Sequence, residues 1–517
     1  MRSQDEQLFP LLVLLAVVAL LCSRKKWQAS RTAYGTARWA TEEILRRAGM
    51  LGARGLILGR TLSGLVIRLP AYCHILLVGA TGSGKGVSII IPQLLTYVRG
   101  SLITFDVKGD LYQIAGSRKK MGQRIVRIAP FNGGTDSLNP LDSIPEDSTM
   151  LVDDAHALAA ALVVIEGTEP DPHWNAKAVQ LIHALLVLVL LRFRGEERNL
   201  NSVAEIASDE TLLARAADQL RAMGGIPARL GNQIATLFAP EGGLTKEGSG
   251  VVSVAQRHLS FLTSELVAKA VATSTIDVRD LLKPGTTVFL QIPASQLESA
   301  RGLLRLWLAT FIRVIGSAGD ERSAEVLALI DEAAAAGGLP ALEEALIRGR
   351  SAGVRLLLAF QSDSQVKVAF KDKPTLLYDN CSTHIYLGGA NSIETAERLS
   401  KSLGEWTQTV ESYSENDSYS WSVGSKGEES SQKNRSSNRS LQPQARALMQ
   451  GSEVLTMSRD YLIALVPGLA PILARRIKYY ADPLFGTASA MQLPPPLWWV
   501  LLAGAVALIA WAALGGQ

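Results

Sequence analysis

The stretch "LLVGATGSGKGVSIIIPQLL", residues 76–95, decides the fold. Its apolar opening has the length of a buried strand, its centre is a glycine-rich turn, and its end reads as the start of a helix. Gly79, Gly82, Gly84 and Lys85 fit the spacing G-x-x-x-x-G-K, in which backbone N–H groups cradle phosphates and the lysine neutralises the terminal ones. The whole loop Gly79, Ala80, Thr81, Gly82, Ser83, Gly84, Lys85 and Gly86 is therefore the expected phosphate cradle. Gly86 stands where such loops usually place a Mg2+-binding hydroxyl. Ser88 is a poor substitute, because two helical steps carry it roughly 200° around the axis. A water molecule or Thr81 is expected to fill the coordination position instead.

A partner for the loop lies downstream in "VLALIDEA", where an apolar strand ends in Asp331 and Glu332. An acid at the end of the neighbouring strand can hold the hydration shell of Mg2+, and the next carboxylate can orient and deprotonate water. Asp331 is assigned to the metal, through water, and Glu332 to the attacking water. ATP and Mg2+ are the expected ligands.

The loop sits in a chain that alternates strands and helices. The runs "ILLV" (75–78), "LITF" (102–105) and "IVRI" (125–128) imply βα units and a largely parallel sheet. Strand signals return at 286–292, 325–331, 354–360, 383–389, 461–467 and 471–480, after a long stretch of helical periodicity. The expected organisation is an α/β nucleotide-binding domain in two parts, 31–140 and 286–410, split by an all-α domain at 141–285, with last strands in 441–486. "GLILGR" (55–60) reads as an entry arm outside the core. The run 178–193 reads as a buried bundle helix, since it is short for a membrane span and carries Gln180 and His183. Residues 411–440, rich in Ser, Asn, Glu and Lys, read as a disordered loop, because few apolar groups are present to offset ordering entropy.

With 517 residues and 47% hydrophobic composition the chain can bury substantial cores. A net charge of +4 is too small to turn the whole surface into a polyanion trap, so contact with nucleic acid needs a local basic lining. Cys22, Cys73 and Cys381 are far apart in sequence, which argues against a zinc site or a disulfide framework. No repeat period is visible, which sets solenoids and propellers aside.

Two charge-free apolar runs, 8–22 and 497–514, have the composition of membrane helices. At about 1.5 Å per residue they reach about 22 and 27 Å, short but sufficient for a hydrocarbon core of about 30 Å. Asp5 and Glu6 ahead of the first run favour an uncleaved anchor over a signal peptide. Basic residues after it (Arg24, Lys25, Lys26) and before the second (Arg475, Arg476, Lys478) place the bulk of the chain on the cytoplasmic side of an inner membrane. Residues 1–30 and 487–517 are thus expected to be the N-terminal anchor and a C-terminal transmembrane helix, with both termini periplasmic.

"YGTARWA" (34–40), "GATGSGKG" (79–86), "FDVKGDLY" (105–112), "SLNPLD" (137–142) and the stretch from 329 to 366 together resemble the type IV secretion coupling proteins, the TraG/TraD-type ATPases of conjugative DNA transfer. A glycine after the loop lysine also occurs in that family. The resemblance implies a RecA-like domain interrupted by an all-α domain and a membrane-tethered hexamer. The implied cargo is a relaxase with its attached single-stranded DNA. It also implies roles for individual residues. Gln361, ending "VRLLLAF", senses the terminal phosphate. Arg350, in "RGRSAG", reaches the neighbouring subunit's nucleotide as an arginine finger, with Arg348 and Arg355 as alternatives. Asp106 ends a strand where parallel sheets gather ligands, and Lys108 either contacts phosphate or caps a turn. For the DNA path, Lys367, Lys371 and Lys373 either line a pore or form a solvated face, and Trp174 either stacks on a base or packs in the core. The single short N-terminal run departs from the family's usual pair of spans around a periplasmic domain, which puts the periplasmic contact with the channel in doubt.

Three readings follow. The first is a coupling ATPase that recruits and drives single-stranded DNA with bound relaxase to a type IV secretion channel. The second keeps the motor but makes the cargo protein effectors, and the third is a membrane scaffold that binds nucleotide without hydrolysing it.

Overall fold

The computed structural model of the chain describes residues 32–163, 173–370, 373–423 and 429–489. The terminal apolar runs 8–22 and 497–514 lie outside the described residues, as does Lys371. The chain forms two compact units. Among the described residues, the larger is built on Thr41–Gly389, Ser458–Pro467 and 473–489; the smaller is built on 32–40, Ala390–Met457 and Gly468–Ile472.

In the larger unit the strands are β1 (Leu56–Arg60), β2 (Val66–Leu69), β3 (Ile75–Val78), β4 (Ser101–Phe105), β5 (Arg124–Ile128) and β6 (Thr286–Leu290). They are followed by β7 (Val326–Ile330), β8 (Val354–Phe360) and β9 (Thr383–Leu387). Past β10 (Glu405–Val423) and β11 (Glu429–Ala447) of the smaller unit come β12 (Tyr461–Leu465) and β13 (Ile472–Arg475). The sheet runs in the order β2-β1-β13-β12-β9-β3-β8-β7-β4-β6-β5. From β9 to β5 the pairing is parallel throughout, whereas β12 joins β9 and β2 joins β1 antiparallel. The central strands β3, β7 and β8 are buried along their whole length. That is why they read as continuous apolar runs rather than as alternating ones.

Two expectations change here. "GLILGR" is core, not an entry arm: Leu56, Ile57 and Leu58 are buried in β1. Gln93, in the helix that follows the glycine loop, fastens β1 by accepting from the Ile57 N–H at 3.0 Å and donating to the Ile57 carbonyl at 2.7 Å. The last strand is also shorter than 471–480, because the chain leaves β13 after Arg475.

Between β5 and β6 come α1 (Leu151–Leu162), α2 (His173–Arg192), α3 (Leu200–Ser208), α4 (Glu210–Ala222), α5 (Gly225–Ala235), α6 (Lys246–Leu259) and α7 (Glu265–Ala272). Side chains close the orphan N–H groups at several starts: Asn199 caps α3, Asp209 accepts from Leu212 N at 2.9 Å, and Thr245 accepts from Gly248 N at 2.9 Å. Among the described residues α2 is the one helix long and apolar enough to cross a membrane. It is instead a core helix, buried from Leu181 to Leu190 and packed against α1, α3, α4, α5 and α6. Trp174 is half-buried and packs against Gly250 of α6, where a β-carbon would sit 2.7 Å from its ring. The helix α8 (Arg301–Ser317) buries Trp307, whose indole N–H donates to the Leu138 carbonyl at 3.2 Å.

The smaller unit contains the helix Ile393–Leu403 and the antiparallel ribbon of β10 and β11. Within the segment 411–440, whose composition points to a disordered loop, residues 411–423 and 429–440 thus belong to a paired ribbon. A ladder is held by backbone hydrogen bonds, which composition does not reveal. Cross-strand pairs add to it: Lys433 lies 5.2 Å from the Tyr419 ring centre, and Arg435 meets Glu415 at 3.6 Å. This unit also draws on both the 286–410 and 441–486 segments, so the boundaries of the second nucleotide-domain part differ from those read in sequence.

Candidate nucleotide-binding site

The loop leaves β3 at the carboxyl end of the parallel strands, where α/β sheets gather ligands. Gly79 N donates to the Phe360 carbonyl at 3.0 Å, which ties the loop's first residue to the end of β8. Ser83 N closes a turn on the Ala80 carbonyl at 2.9 Å, and Gly82 and Gly84 take φ of +72° and +83°, a region that glycine enters without strain. Gly79 has no room for a side chain, since a β-carbon there would lie 2.6 Å from Ser83 Oγ. The Lys85 ammonium donates to the Gly79 carbonyl at 2.7 Å, which holds its charge over the loop. Burial pulls the Lys85 ammonium below the ordinary lysine value, and the carboxylates of Asp331 and Glu332 oppose that shift. Gly86 opens a wide, π-type turn, Gly86–Ile90, that leads into the helix Ile91–Thr96.

Asp331 and Glu332 follow β7, which is not the neighbour of β3: β8 lies between them. The acids are therefore one strand farther from the loop than read in sequence, and that leaves room for a ligand between them and the loop. Burial pushes the Asp331 carboxyl above the ordinary value, with Lys85 and Lys108 pulling it back. Gln361, at the end of the intervening β8, spans the gap. Its Oε1 accepts from Thr81 Oγ1 at 3.0 Å and its Nε2 donates to Glu332 Oε2 at 3.5 Å. Gln365 donates to Glu332 Oε1 at 2.9 Å and accepts from the Gln361 N–H at 2.7 Å. Thr81, Lys85, Asp331, Glu332 and Gln361 are thus brought to one end of the sheet.

Asp106 is not free for a ligand. Its carboxylate is buried and accepts from Gly109 N at 2.8 Å, Tyr112 N at 2.9 Å and Gln291 Nε2 at 2.8 Å. It shapes the turn that carries Lys108, and β4 pairs with β7 so that Phe105 stands opposite Ile330. That register sets Lys108 near Asp331.

The arginines separate clearly. Arg355 is buried, donating to the carbonyls of Cys73 at 3.0 Å and Ala71 at 2.8 Å, and Arg348 pairs with Glu344 at 3.3 Å. Arg350 is exposed: its carbonyl accepts from the Gly353 N–H at 3.1 Å, while its side chain makes no hydrogen bond or ion pair among the described residues. It lies on the turn entering β8, a turn bounded by Val354, whose carbonyl accepts from the Tyr72 hydroxyl. Gln361 follows the other end of this strand of 7 residues, about 23 Å away at roughly 3.3 Å per residue. Arg350 is therefore at the far edge of the sheet from its own chain's loop. Lys373 is paired with Glu343 at 3.0 Å, so it is not a bare pore charge. Cys73 and Cys381 are buried and free, as packing cysteines are.

Two residues at the site escape sequence reasoning. Gln365 sits one helical turn past Gln361, and only that spacing hints at it. Arg476, read in sequence as a basic flank of a membrane run, instead donates to Ser88 Oγ from Nε at 3.0 Å and from Nη2 at 2.7 Å. That engages both lone pairs of the Ser88 hydroxyl, which is a second reason that Ser88 cannot replace the hydroxyl missing at Gly86.

Residues 38–495 match the family described as type IV secretory system conjugative DNA transfer. The protein VirD4 of Rhizobium radiobacter is 25% identical over 470 residues, covering 87% of this chain and 64% of the relative. The conjugal transfer protein TraG of Escherichia coli is 26% identical over 524 residues, covering 89% of this chain and 79% of the relative. The chain thus spans a little under two thirds of that VirD4. Among solved structures, the unbound bacterial conjugative coupling protein TrwBdeltaN70 superposes with a TM-score of 0.60 at 18% identity, over 86% of this chain and 93% of that solved chain. TrwB in complex with ADP and Mg2+ gives a TM-score of 0.60 at 17% identity, over 85% and 93%. These likenesses establish the mixed α/β fold with its central parallel sheet. Because the match takes in nearly the whole length, the chain belongs to the type IV secretory system conjugative DNA transfer family.

Proposed function

We propose that this chain is a membrane-anchored coupling ATPase that recruits single-stranded DNA with its bound relaxase and drives it to a type IV secretion channel. Family membership supports the cargo class. The observation that carries the motor is the convergence of Lys85, Asp331, Glu332 and Gln361 at one end of the parallel sheet. The runs 8–22 and 497–514 are the proposed anchors, in the inner membrane.

The residues present fit ATP with Mg2+. Asp331 accepts no hydrogen bond among the described residues and faces two lysines, which suits a carboxylate that holds a hydrated cation. Mg2+, when bound, supplies charge to the phosphate oxygens. Loop N–H groups other than those of Gly79 and Ser83, which are bonded within the protein, hold the terminal phosphates together with the Lys85 ammonium, and Lys108 adds a second positive charge beside Asp331. Glu332, with one oxygen held by Gln365 and the other facing Gln361, orients a water molecule and takes its proton. Gln361 bridges Thr81 and Glu332, and so relates the state of the loop to the position of the base. Arg350 acts on a neighbouring subunit's nucleotide, since its own loop is out of reach, and this favours an oligomer such as a hexamer.

The test is phosphate release by the detergent-solubilised full chain with and without single-stranded DNA. Turnover that DNA stimulates, and that Lys85→Ala abolishes, is the expected result. Turnover without DNA stimulation would favour protein effectors as cargo, and absence of turnover would leave a nucleotide-binding scaffold.

A further inference from the structure

Arg476 leaves the end of β13 and reaches the glycine loop, and we propose that it is the positioning residue that keeps this loop in its phosphate-accepting shape. The inference rests on the reading of the loop as a nucleotide site. Besides its two bonds to Ser88 Oγ, the guanidinium donates to the Gly84 carbonyl at 3.3 Å and to the Arg459 carbonyl at 2.7 Å. One planar group therefore joins the loop, the first turn after it, and the turn before β12. The guanidinium is half-buried; burial lowers its pKa and Asp460 opposes this, but an arginine remains charged at neutral pH.

The local sequence has a specific need for such a clamp. Lys85 is flanked by Gly84 and Gly86, so the two peptides around the key lysine carry almost no side-chain restraint. The Gly84 carbonyl receives the Ser88 N–H at 3.0 Å and Arg476 from outside the helix. In a planar trans peptide the Lys85 N–H points the opposite way from that carbonyl, so fixing the one fixes the other. A β-carbon at residue 84 would lie 2.2 Å from Arg476 Nη2, so any side chain there would displace the guanidinium from its place. The glycine thus serves both its φ of +83° and the close approach of the guanidinium. Ser88 is likewise explained as the anchor of the clamp rather than as a ligand of the metal.

The experiment measures binding of a fluorescent ADP to the full-length chain in detergent, with melting temperature recorded alongside. Arg476→Ala is expected to raise the dissociation constant about tenfold or more, as loss of hydrogen bonds from a charged group implies. Arg476→Lys is expected to recover little of that, because an ammonium lacks the fork that spans Ser88, Gly84 and Arg459. Ser88→Ala should weaken binding less, and combining it with Arg476→Ala should add nothing further, since both remove one interaction. Equal affinity in wild type and Arg476→Ala, or full recovery by lysine, would overturn the proposal; the latter would make Arg476 a mere distant charge. Should Arg476→Ala fail to fold, unchanged affinity in Ser88→Ala overturns it equally. Wild-type binding no tighter than that of Lys85→Ala would instead sink the nucleotide reading itself, an outcome distinct from failure of the clamp.

Discussion

Glu332 illustrates how one side chain is made ready by its neighbours. Two amides on successive turns, Gln361 and Gln365, face its two oxygens, so the carboxylate is oriented without a cation of its own. Glu332→Gln keeps the shape and removes the basicity. Steady-state phosphate release should fall about 100-fold or more, the usual share of a general base, while ADP affinity stays within about threefold. Turnover at the wild-type rate would take Glu332 out of that role. That Lys85, Asp331 and Glu332 belong together was legible in sequence because short motifs carry them, and the fold brings the three to one end of the sheet. Gln365 and Arg476 were not, because their value comes from partners that are distant in sequence: Arg476 and Ser88 meet across 388 positions.

The helix α2 raises the question that hydropathy alone leaves open, since a core helix and a membrane span share composition. Interruption by polar residues and modest length pointed to a bundle, and its packing against five other helices agrees. Leu186 is completely buried there. Leu186→Ala should therefore cost about 2–5 kcal/mol of stability, seen as a lower midpoint in urea unfolding followed by circular dichroism. A lipid-facing leucine would give almost no change. Strands with both faces covered were equally legible, as β3 and β8 show, each matching its apolar run. The β1 strand was missed because a short apolar run after a polar segment has no periodicity to separate edge from arm. The β10–β11 ribbon was missed because its stability is written in backbone pairing rather than in apolar content.

At the scale of the whole molecule, the placement of Arg350 matters most. It sits on the entering turn of β8 while the loop, the acids and Gln361 lie past the leaving ends of the strands. A finger in this position works only on another subunit. Arg350→Ala should leave nucleotide binding intact and lower turnover by about a thousandfold in assembled protein. A dilution series combining ATPase rate with mass measurement checks this: any residual rate of isolated monomers should be the same with and without Arg350, and an effect on monomers would rule out action in trans. Burial removes Arg355 from the candidates for a finger, whereas Arg348 is exposed and held by a surface pair with Glu344, a difference that their sequence spacing does not disclose.

By itself the sequence determined that this chain carries a glycine-rich G-x-x-x-x-G-K loop on a parallel α/β sheet, a strand ending in paired acids and a helical segment set between the two halves. These are local matters: a motif, an apolar run and a period each act over a few residues. Only the tertiary structure decided which strand stands between loop and acids, that Asp106 braces a turn, and that Arg476 clamps the loop while Arg350 faces away from it. Strand order and long-range side-chain partners depend on how distant segments pack, and a burial pattern read along the chain is the same for many such arrangements.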